Sequence, residues 1–218
     1  MNTAALPVFS PDTLLLASAS PRRREILDQM GVRHEVLRVP APPGEDEPRL
    51  AGETPETYVR RTAREKAERA RAWLRANHPE QTGQSEPPIL AADTTVARGE
   101  HIFGKPADAA QAIEFLKALS GAKHQVLSAV VLDTGSQTIE ALCRSEVLFA
   151  ELTPQEIEAY CRTDEPMGKA GAYAIQGRAA MFVQEITGSH SGIMGLPIFE
   201  TYQLLRQAGL SPLIAWQA

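Results

Sequence analysis

The chain has 218 residues, 22 of them basic and 27 acidic, which gives a formal net charge of −5 at pH 7. This length fits one α/β domain with a substantial core, and the negative balance excludes an overall positive field for long nucleic acid or an anionic membrane. No apolar run approaches the roughly 18 residues of a membrane span, and Met1–Pro11 lacks a basic leader region, so we expect a cytoplasmic protein. Cys143 and Cys161 have no metal-ligand spacing, and we expect both to be reduced packing residues.

The first predicted unit is a strand followed by an arginine-rich helix. Leu14–Ala17 is an apolar run fit for an interior strand, and Ser20 and Pro21 suit the N-cap and first position of a helix. Arg22 and Arg23 then fall in the first helical turn, where cations are unfavourable unless an anion binds beside the free N–H groups. The pattern predicts an anion site at this turn, and a solvated basic surface is the alternative.

An acidic loop precedes the second predicted helix. Gly44–Pro55 cannot form a regular element. Its acidic run offers carboxylates that are either solvated or available to a metal ion: Glu45, Asp46 and Glu47. The helix that follows carries Lys66 on or beside its apolar stripe, so this ammonium group either reaches an anion or lies at the surface.

The predicted strand Ile89–Ala97 contains an aspartate, Asp93. Aspartate is a poor strand former, and a buried carboxylate without a partner is costly, so Asp93 needs a metal ion or a basic side chain nearby. The alternative is an aspartate at the strand end that caps a turn. Together with one carboxylate of the acidic loop, Asp93 would supply the oxygen ligands that Mg²⁺ takes while it bridges substrate phosphates.

The second half of the chain alternates helices and strands. Periodicity, turn and capping signals predict a helix over Asp108–Leu119, a hairpin of strands over Gln125–Leu132 and Thr138–Phe149, a helix capped by Thr153, a strand over Met181–Ile186, a loop over Gly188–Gly195 and a final helix from Pro197. Interspersed strands and helices with one hairpin indicate an α/β fold, in which helices flank a mixed, twisted sheet and glycine-rich loops gather at a cleft.

Two polar residues in the second half are further candidate ligands. Lys105, in a Gly-Lys-Pro sequence, either neutralises a polyphosphate or lies at the surface. Gln176 has an amide that can bind the carbonyl and imide edge of a base, or it serves only in a turn. The chain lacks GxxxxGK[ST], GxGxxG and GxSxG patterns and any His/Cys cluster, so the sequence does not support a P-loop, a dinucleotide-binding unit or a nucleophile elbow, and a zinc site is disfavoured.

From about residue 13 to 210, the chain resembles the Maf family of nucleoside triphosphate pyrophosphatases, of the ITPase-like superfamily. The resemblance rests on motifs in the family's order and spacing: LASASPRR at 16–23, REKA at 64–67, ADT at 92–94, GKP at 104–106, LSG at 119–121, HQV at 124–126, KAGAY at 169–173 and IQG at 175–177. It implies one domain over residues 13–210 with two lobes around a central cleft, a flexible segment over 1–12 and a C-terminal tail over 211–218.

The resemblance implies hydrolysis of a nucleoside triphosphate between its α and β phosphates, which releases pyrophosphate. The expected cofactor is Mg²⁺, with Mn²⁺ and Co²⁺ as alternatives. Asp93 is then the catalytic proton acceptor and a metal ligand, with Glu45 as its metal-binding companion, and Asp46 and Glu47 stay open as alternatives to Glu45. The implied phosphate-binding residues are Ser18, Arg23, Lys66 and Lys105.

Three positions divide the family by substrate, and here they are Arg22, Thr94 and Gln176. This combination resembles the branch that acts on dTTP and UTP, because the 7-methyl-GTP branch has a bulky aromatic residue at the position of Arg22. The implied role is the removal of surplus or modified pyrimidine nucleotides, with a link to arrest of cell division, and the resemblance allows a homodimer. A non-catalytic nucleotide-binding regulator of cell division and a phosphatase that releases single phosphates are the alternatives.

Overall fold

A computed structural model describes residues 13–41, 47–79 and 86–210 of the chain. In these residues seven strands form one open, mixed sheet: β1 (Leu14–Leu16), β2 (His34–Val36), β3 (Ile89–Arg98), β4 (His101–Phe103), β5 (Lys123–Asp133), β6 (Thr138–Phe149) and β7 (Val183–Thr187). The flanking α-helices are α1 (Pro21–Gln29), α2 (Pro55–Asn77), α3 (Ala109–Leu119), α4 (Pro154–Cys161), α5 (His190–Met194) and α6 (Ile198–Gln207). The predicted α/β fold with a mixed sheet between helices is confirmed, while the predicted segments 1–12 and 211–218 lie outside the described residues.

The sheet leaves the middle of β3 open along one edge. Its order is β2-β1-β3-β5-β6-β7, and β5 pairs with β3 along one edge from Ile89 to Ala97. On the other edge, parallel strand β1 pairs only with Ile89 and Leu90, and antiparallel strand β4 pairs from Val96 onward. Within the described residues, therefore, no strand covers this edge between Leu90 and Val96. The chain leaves the sheet after β1 and enters α1.

A 23-residue helix, α2, covers one face of the sheet. Its N-cap is Thr54, whose Oγ1 accepts a hydrogen bond from the N–H of Thr57 at 3.2 Å. Its apolar stripe is buried in one cluster with residues of β3 and β5: Val59, Ala63, Ala67, Ala91, Leu127, Ala129 and Val131. Because alternate residues of a strand face opposite sides, Ala91 and Asp93 face α2 and Thr94 faces away from it.

The opposite face of the sheet carries two separate apolar clusters. One packs α1 and α6 against the first half of β3, including Leu90 and Ala92. The other packs α3, α4 and two short 3₁₀ helices against the second half, including Val96. Thr94 lies between Ala92 and Val96 on this face, so it marks the boundary between the clusters. The open stretch of β3 therefore lies at the boundary between the two clusters.

Several predicted element boundaries are confirmed. Asp108 is the N-cap of α3, and Thr153 and Glu156 form the predicted capping box of α4. Cys143 and Cys161 are free and buried. In the described part of the chain, no helix is long and apolar enough to cross a membrane.

The structure also corrects the sequence predictions. The predicted loop Gly188–Gly195 contains the short helix α5, because Ser189 caps its first turn. The strand predicted from Met181 begins at Val183, since Arg178–Phe182 forms a 3₁₀ helix. The sequence pattern does not predict β2 or β4, because three-residue strands are too short to show alternation.

Candidate active site

Asp93 lies in the open stretch of β3 and is 5% exposed. Its Oδ1 accepts a hydrogen bond from Nζ of Lys66 at 2.6 Å, and its Oδ2 accepts one from Oγ1 of Thr62 at 2.7 Å. Thr62 and Lys66 are four residues apart in α2, so the helix presents both side chains to the same strand. Asp93 therefore has the basic partner that its sequence context requires, and the alternative role as a turn cap is wrong.

The surroundings of Asp93 keep its carboxyl group ionised. Burial alone would raise its pKa, but the neighbouring Lys66 ammonium and Arg23 guanidinium hold the pKa of Asp93 below its ordinary value. The hydrogen bond from Thr62 acts in the same direction. Asp93 is therefore a carboxylate at neutral pH, the form that accepts a proton from water or binds a cation.

A second carboxylate, that of Glu47, contacts the same lysine. Nζ of Lys66 forms an ion pair with Oε1 of Glu47. The loop is anchored to α2, because the hydroxyl of Tyr58 donates to the Glu47 carbonyl at 3.0 Å and the guanidinium of Arg61 donates to the next carbonyl at 2.9 Å. These contacts bring one carboxylate of the acidic loop to Asp93.

The donor atoms of this pair suit a hard divalent cation. Mg²⁺ binds through one or two carboxylates and takes its other ligands from phosphates and water. Asp93 and Glu47 both contact the Lys66 ammonium, so they lie close enough to share a cation. In the described residues no group of three or more His, Cys, Asp or Glu could hold a metal ion. The predicted ligand Glu45, like Asp46, lies outside the described residues.

Helix α1 places Arg23 beside the end of β1. Its Nη1 donates to Oγ of Ser18 at 3.1 Å, and its Nε donates to the carbonyl of Gly195 at 2.8 Å. The Ser18 oxygen also accepts from the N–H of Ser20 at 3.2 Å. Ser20 occupies the predicted N-cap position, although its side chain makes no capping hydrogen bond. Burial lowers the pKa of Arg23, but the nearby Asp93 carboxylate opposes this effect, and the guanidinium stays charged.

Thr94 lies on the opposite face of the sheet from α2. Its Oγ1 is 2.8 Å from Oγ of Ser128 on β5, and that oxygen is 2.7 Å from the carbonyl of Gly192 in α5. Gly195, which follows α5, has a φ of 116°. A Cβ at Gly195 would lie 3.6 Å from Oγ1 of Thr94 and 3.6 Å from Nε of Arg23. The residue that follows α5 therefore brings a predicted base-binding side chain and a predicted phosphate-binding side chain together.

Lys105 and Gln176 are close in sequence to Phe103 and Ile175, which belong to the apolar cluster that contains α3 and α4. Lys105 is exposed in the segment after β4, where the carbonyl of Gly104 accepts a hydrogen bond from Gly171 at 3.1 Å. Gln176 is exposed in the turn between the two 3₁₀ helices. Within the described residues neither side chain makes a hydrogen bond or an ion pair, so both are available to a ligand.

Arg22 faces the glycine-rich segment that leads to Gln176. Burial, and then the charge of Arg22, lower the pKa of Lys169 in that segment, so the two cations are neighbours. In the part of the chain that the structure describes, no hydrogen bond joins Arg22, Thr94 and Gln176 to one another. Lys66 thus contacts Asp93 directly and Arg23 lies near enough to lower the pKa of Asp93, whereas the three predicted specificity side chains come from separate elements.

Sequence comparison identifies the family. The family model described as Maf-like protein matches residues 13–208. The chain belongs to the Maf family. A protein of Bordetella pertussis named dTTP/UTP pyrophosphatase is 54% identical to this Maf chain over 211 residues, which cover 97% of this chain and 99% of that protein. Proteins with the same name from Bordetella avium and Burkholderia pseudomallei are 53% and 55% identical, over 91% and 88% of this chain and 96% and 92% of their own lengths.

The structure adds residues to the Maf site that sequence reasoning missed. Thr62 precedes Lys66 by four residues, and this helical spacing could have indicated it. Ser128 is the register partner of Thr94 across β3 and β5, 34 residues along the chain, and local sequence carries no signal for that pairing.

Glu165, also missed, anchors the turn that carries Gln176. Its carboxylate accepts hydrogen bonds from the backbone N–H groups of Arg178 at 3.0 Å and Ala179 at 3.2 Å. Burial opposes ionisation, but these two hydrogen bonds hold the pKa of Glu165 below its ordinary value. A Cβ at Gly177 would lie 2.5 Å from this carboxylate, so the turn has room only for glycine while the carboxylate keeps its place.

Proposed function

We propose that this Maf chain hydrolyses dTTP and UTP to the nucleoside monophosphate and pyrophosphate. The observation that carries the proposal is the buried Asp93 carboxylate, paired with Lys66 and close to Arg23 on an open strand edge. An ionised carboxylate beside two cations suits a site that binds a polyphosphate and accepts a proton from water. The name that the three relatives share, dTTP/UTP pyrophosphatase, supports dTTP and UTP as the substrates.

The proposed phosphate-binding side chains come from three parts of the chain. Ser18 and Arg23 lie at the N-terminus of α1, where the helix dipole also favours an anion. Lys66 lies beside Asp93, and Lys105 lies on the exposed segment after β4. Their positive charges would offset the charge that develops on the leaving pyrophosphate.

Asp93 and Glu47 would hold the divalent cation, which we take to be Mg²⁺. When bound, this ion neutralises phosphate charge and lowers the pKa of a coordinated water. Asp93 orients the attacking water and accepts its proton, because Thr62 and Lys66 hold its carboxylate in a fixed position within the open stretch of β3. Attack in line with the leaving group at the α phosphorus then releases pyrophosphate.

The base-binding residues in this proposal are Arg22, Thr94 and Gln176. Together they offer donors for the two carbonyl oxygens of thymine or uracil and an acceptor for the imide N–H. Cytosine has an exocyclic amine and an unprotonated ring nitrogen in the corresponding positions, so it mismatches this set. Discrimination of this kind can be large, since the wrong base leaves buried polar groups unpaired.

The proposal also includes a cellular setting. We place the enzyme in the cytoplasm, where it would remove surplus or modified pyrimidine nucleotides. The two free cysteines and the net charge of −5 support this setting and argue against long nucleic acid as a partner.

Product analysis tests the proposal. The purified protein is incubated with Mg²⁺ and a panel of dTTP, UTP, dCTP, purine triphosphates and 7-methyl-GTP in ¹⁸O-labelled water. We expect pyrophosphate as the inorganic product, with the label in the monophosphate, and the highest kcat/KM for dTTP and UTP. Direct release of orthophosphate would support the phosphatase alternative, and intact dTTP after long incubation would support a non-catalytic regulator. A preference for 7-methyl-GTP would overturn the substrate assignment.

A further inference from the structure

A chain of two hydroxyl groups connects the cleft to a backbone carbonyl. Oγ1 of Thr94 lies 2.8 Å from Oγ of Ser128, which lies 2.7 Å from the carbonyl oxygen of Gly192. Ser128 is 1% exposed, whereas Thr94 is half-buried at the boundary between the two apolar clusters. The buried serine therefore lies between the cleft side chain and the backbone of α5.

The carbonyl at the end of the chain determines the direction of both hydrogen bonds. A carbonyl oxygen only accepts, and two oxygens 2.7 Å apart need a hydrogen between them, so Ser128 donates its single proton to Gly192. Ser128 can then only accept from Thr94, which must donate its own proton to Ser128. The Thr94 oxygen keeps its lone pairs and has no proton left to donate toward the cleft.

The backbone around Gly192 holds this carbonyl in place. The N–H of Gly192 donates to Oγ of Ser189 at 3.0 Å, which caps α5. The N–H of Gly195 donates to the Gly192 carbonyl at 3.0 Å. A Cβ at Gly192 would lie 3.0 Å from Sγ of Cys143, so β6 packs tightly against this turn. The acceptor at the end of the chain is thus fixed by its own helix and by its packing.

We propose that Ser128 is a positioning residue that makes Thr94 an obligate hydrogen-bond acceptor and thereby selects bases that carry a ring N–H. Thymine and uracil have such an N–H at N3, whereas N3 of cytosine is an acceptor and would face the Thr94 lone pairs. This inference rests on the proposed function, in which Thr94 contacts the base. It assigns the discrimination between uracil-type and cytosine rings to a buried residue that does not itself contact substrate.

The test is Ser128→Ala, which frees the Thr94 proton for donation. We expect the ratio of kcat/KM for dTTP over dCTP to fall about tenfold or more, through a lower KM for dCTP and a higher KM for dTTP, while pyrophosphate remains the product. Ser128→Cys keeps the volume and offers a weaker acceptor, so it should give a smaller fall. It also provides a folded variant if the alanine variant is unstable.

Two comparisons distinguish an effect of Ser128 on the Thr94 hydroxyl from a general loss of stability. Ser145→Ala is the matched control, because Ser145 is a buried serine of β6 that bonds the backbone of Ser189 in the same segment and does not contact Thr94. It should lower the melting temperature without changing the dTTP over dCTP ratio. In a Thr94→Val background, Ser128→Ala should have no further effect on this ratio.

The possible negative results distinguish failure of the Ser128 inference from failure of the proposed function. An unchanged ratio in both Ser128 variants, an equal fall in Ser145→Ala, or a full Ser128→Ala effect in the Thr94→Val background would overturn the inference. If the wild-type protein has no preference for dTTP or UTP, or releases no pyrophosphate, the proposed function fails instead.

Discussion

The substitution Asp93→Asn should lower the catalytic rate of the site without unfolding the protein. The asparagine amide has the shape of the carboxylate but no charge, and it can neither take up a proton from water nor neutralise a cation. General base catalysis contributes about 10²- to 10⁴-fold to a rate. At about 1.36 kcal/mol per tenfold, this corresponds to roughly 2.7 to 5.4 kcal/mol of transition-state stabilisation. We therefore expect kcat for pyrophosphate release to fall at least about 100-fold.

The contacts of Asp93 indicate that the variant keeps its fold. The asparagine oxygen can still accept from Lys66, and its amide can donate to Oγ1 of Thr62, whose own proton can go to the carbonyl of Tyr58 at 3.0 Å. Lys66 also keeps Glu47 as a partner, so no unpaired charge is left buried. The free energy of unfolding should therefore change much less than the activation free energy.

Asp133→Asn is the matched control for Asp93→Asn. Asp133 is a buried aspartate of the same sheet, and its Oδ2 accepts from Nε of Arg71 at 2.9 Å on the same helix, α2. Within the described residues, removing its charge leaves the buried guanidinium of Arg71 with only one ion pair, to Glu86 at 3.5 Å, which should lower the free energy of unfolding while kcat stays near the wild-type value. Pyrophosphate release and denaturant unfolding are measured on all three proteins. More than about a tenth of wild-type kcat in Asp93→Asn would refute the catalytic assignment.

Arg23→Ala should raise the KM for dTTP more than Lys105→Ala, because a guanidinium can bind phosphate through two hydrogen bonds; wild-type kinetics in both variants would contradict this. Burial lowers the pKa of His124 to about 4, so the unfolded state binds more protons between about pH 6.5 and 4, and stability is lost as the pH falls through this interval. The loss should be on the order of 3 kcal/mol in denaturant titrations, and His124→Gln should show a smaller one. Gly177→Ala should displace the Glu165 carboxylate and reduce the dTTP over dCTP preference without changing the product, and an unchanged preference would argue against that anchor.

Local signals predict most of the elements, but long-range pairing decides the details of the site. Thr54 at the start of α2 and the inward position of Lys66 follow from capping and helical spacing alone. The proposal of Glu47 as the cation ligand from the acidic loop depends on how that loop lies against α2, which no local sequence pattern specifies. The Thr94–Ser128 contact depends on the register of β3 with β5, set by packing across the whole sheet.

The open edge of β3 explains how two consecutive residues can have different roles. Asp93 faces α2 and its cations, while Thr94 faces the boundary between the two apolar clusters on the other side of the sheet. A nucleotide that reaches both side chains must therefore lie across the edge between β1 and β4, where no strand of the described residues blocks it. Because Asp93 and Thr94 face opposite sides of β3, substitutions at Asp93 should change the rate with little effect on base preference. Substitutions at Thr94 should change base preference while pyrophosphate remains the product, and coupled changes in both properties would contradict this division.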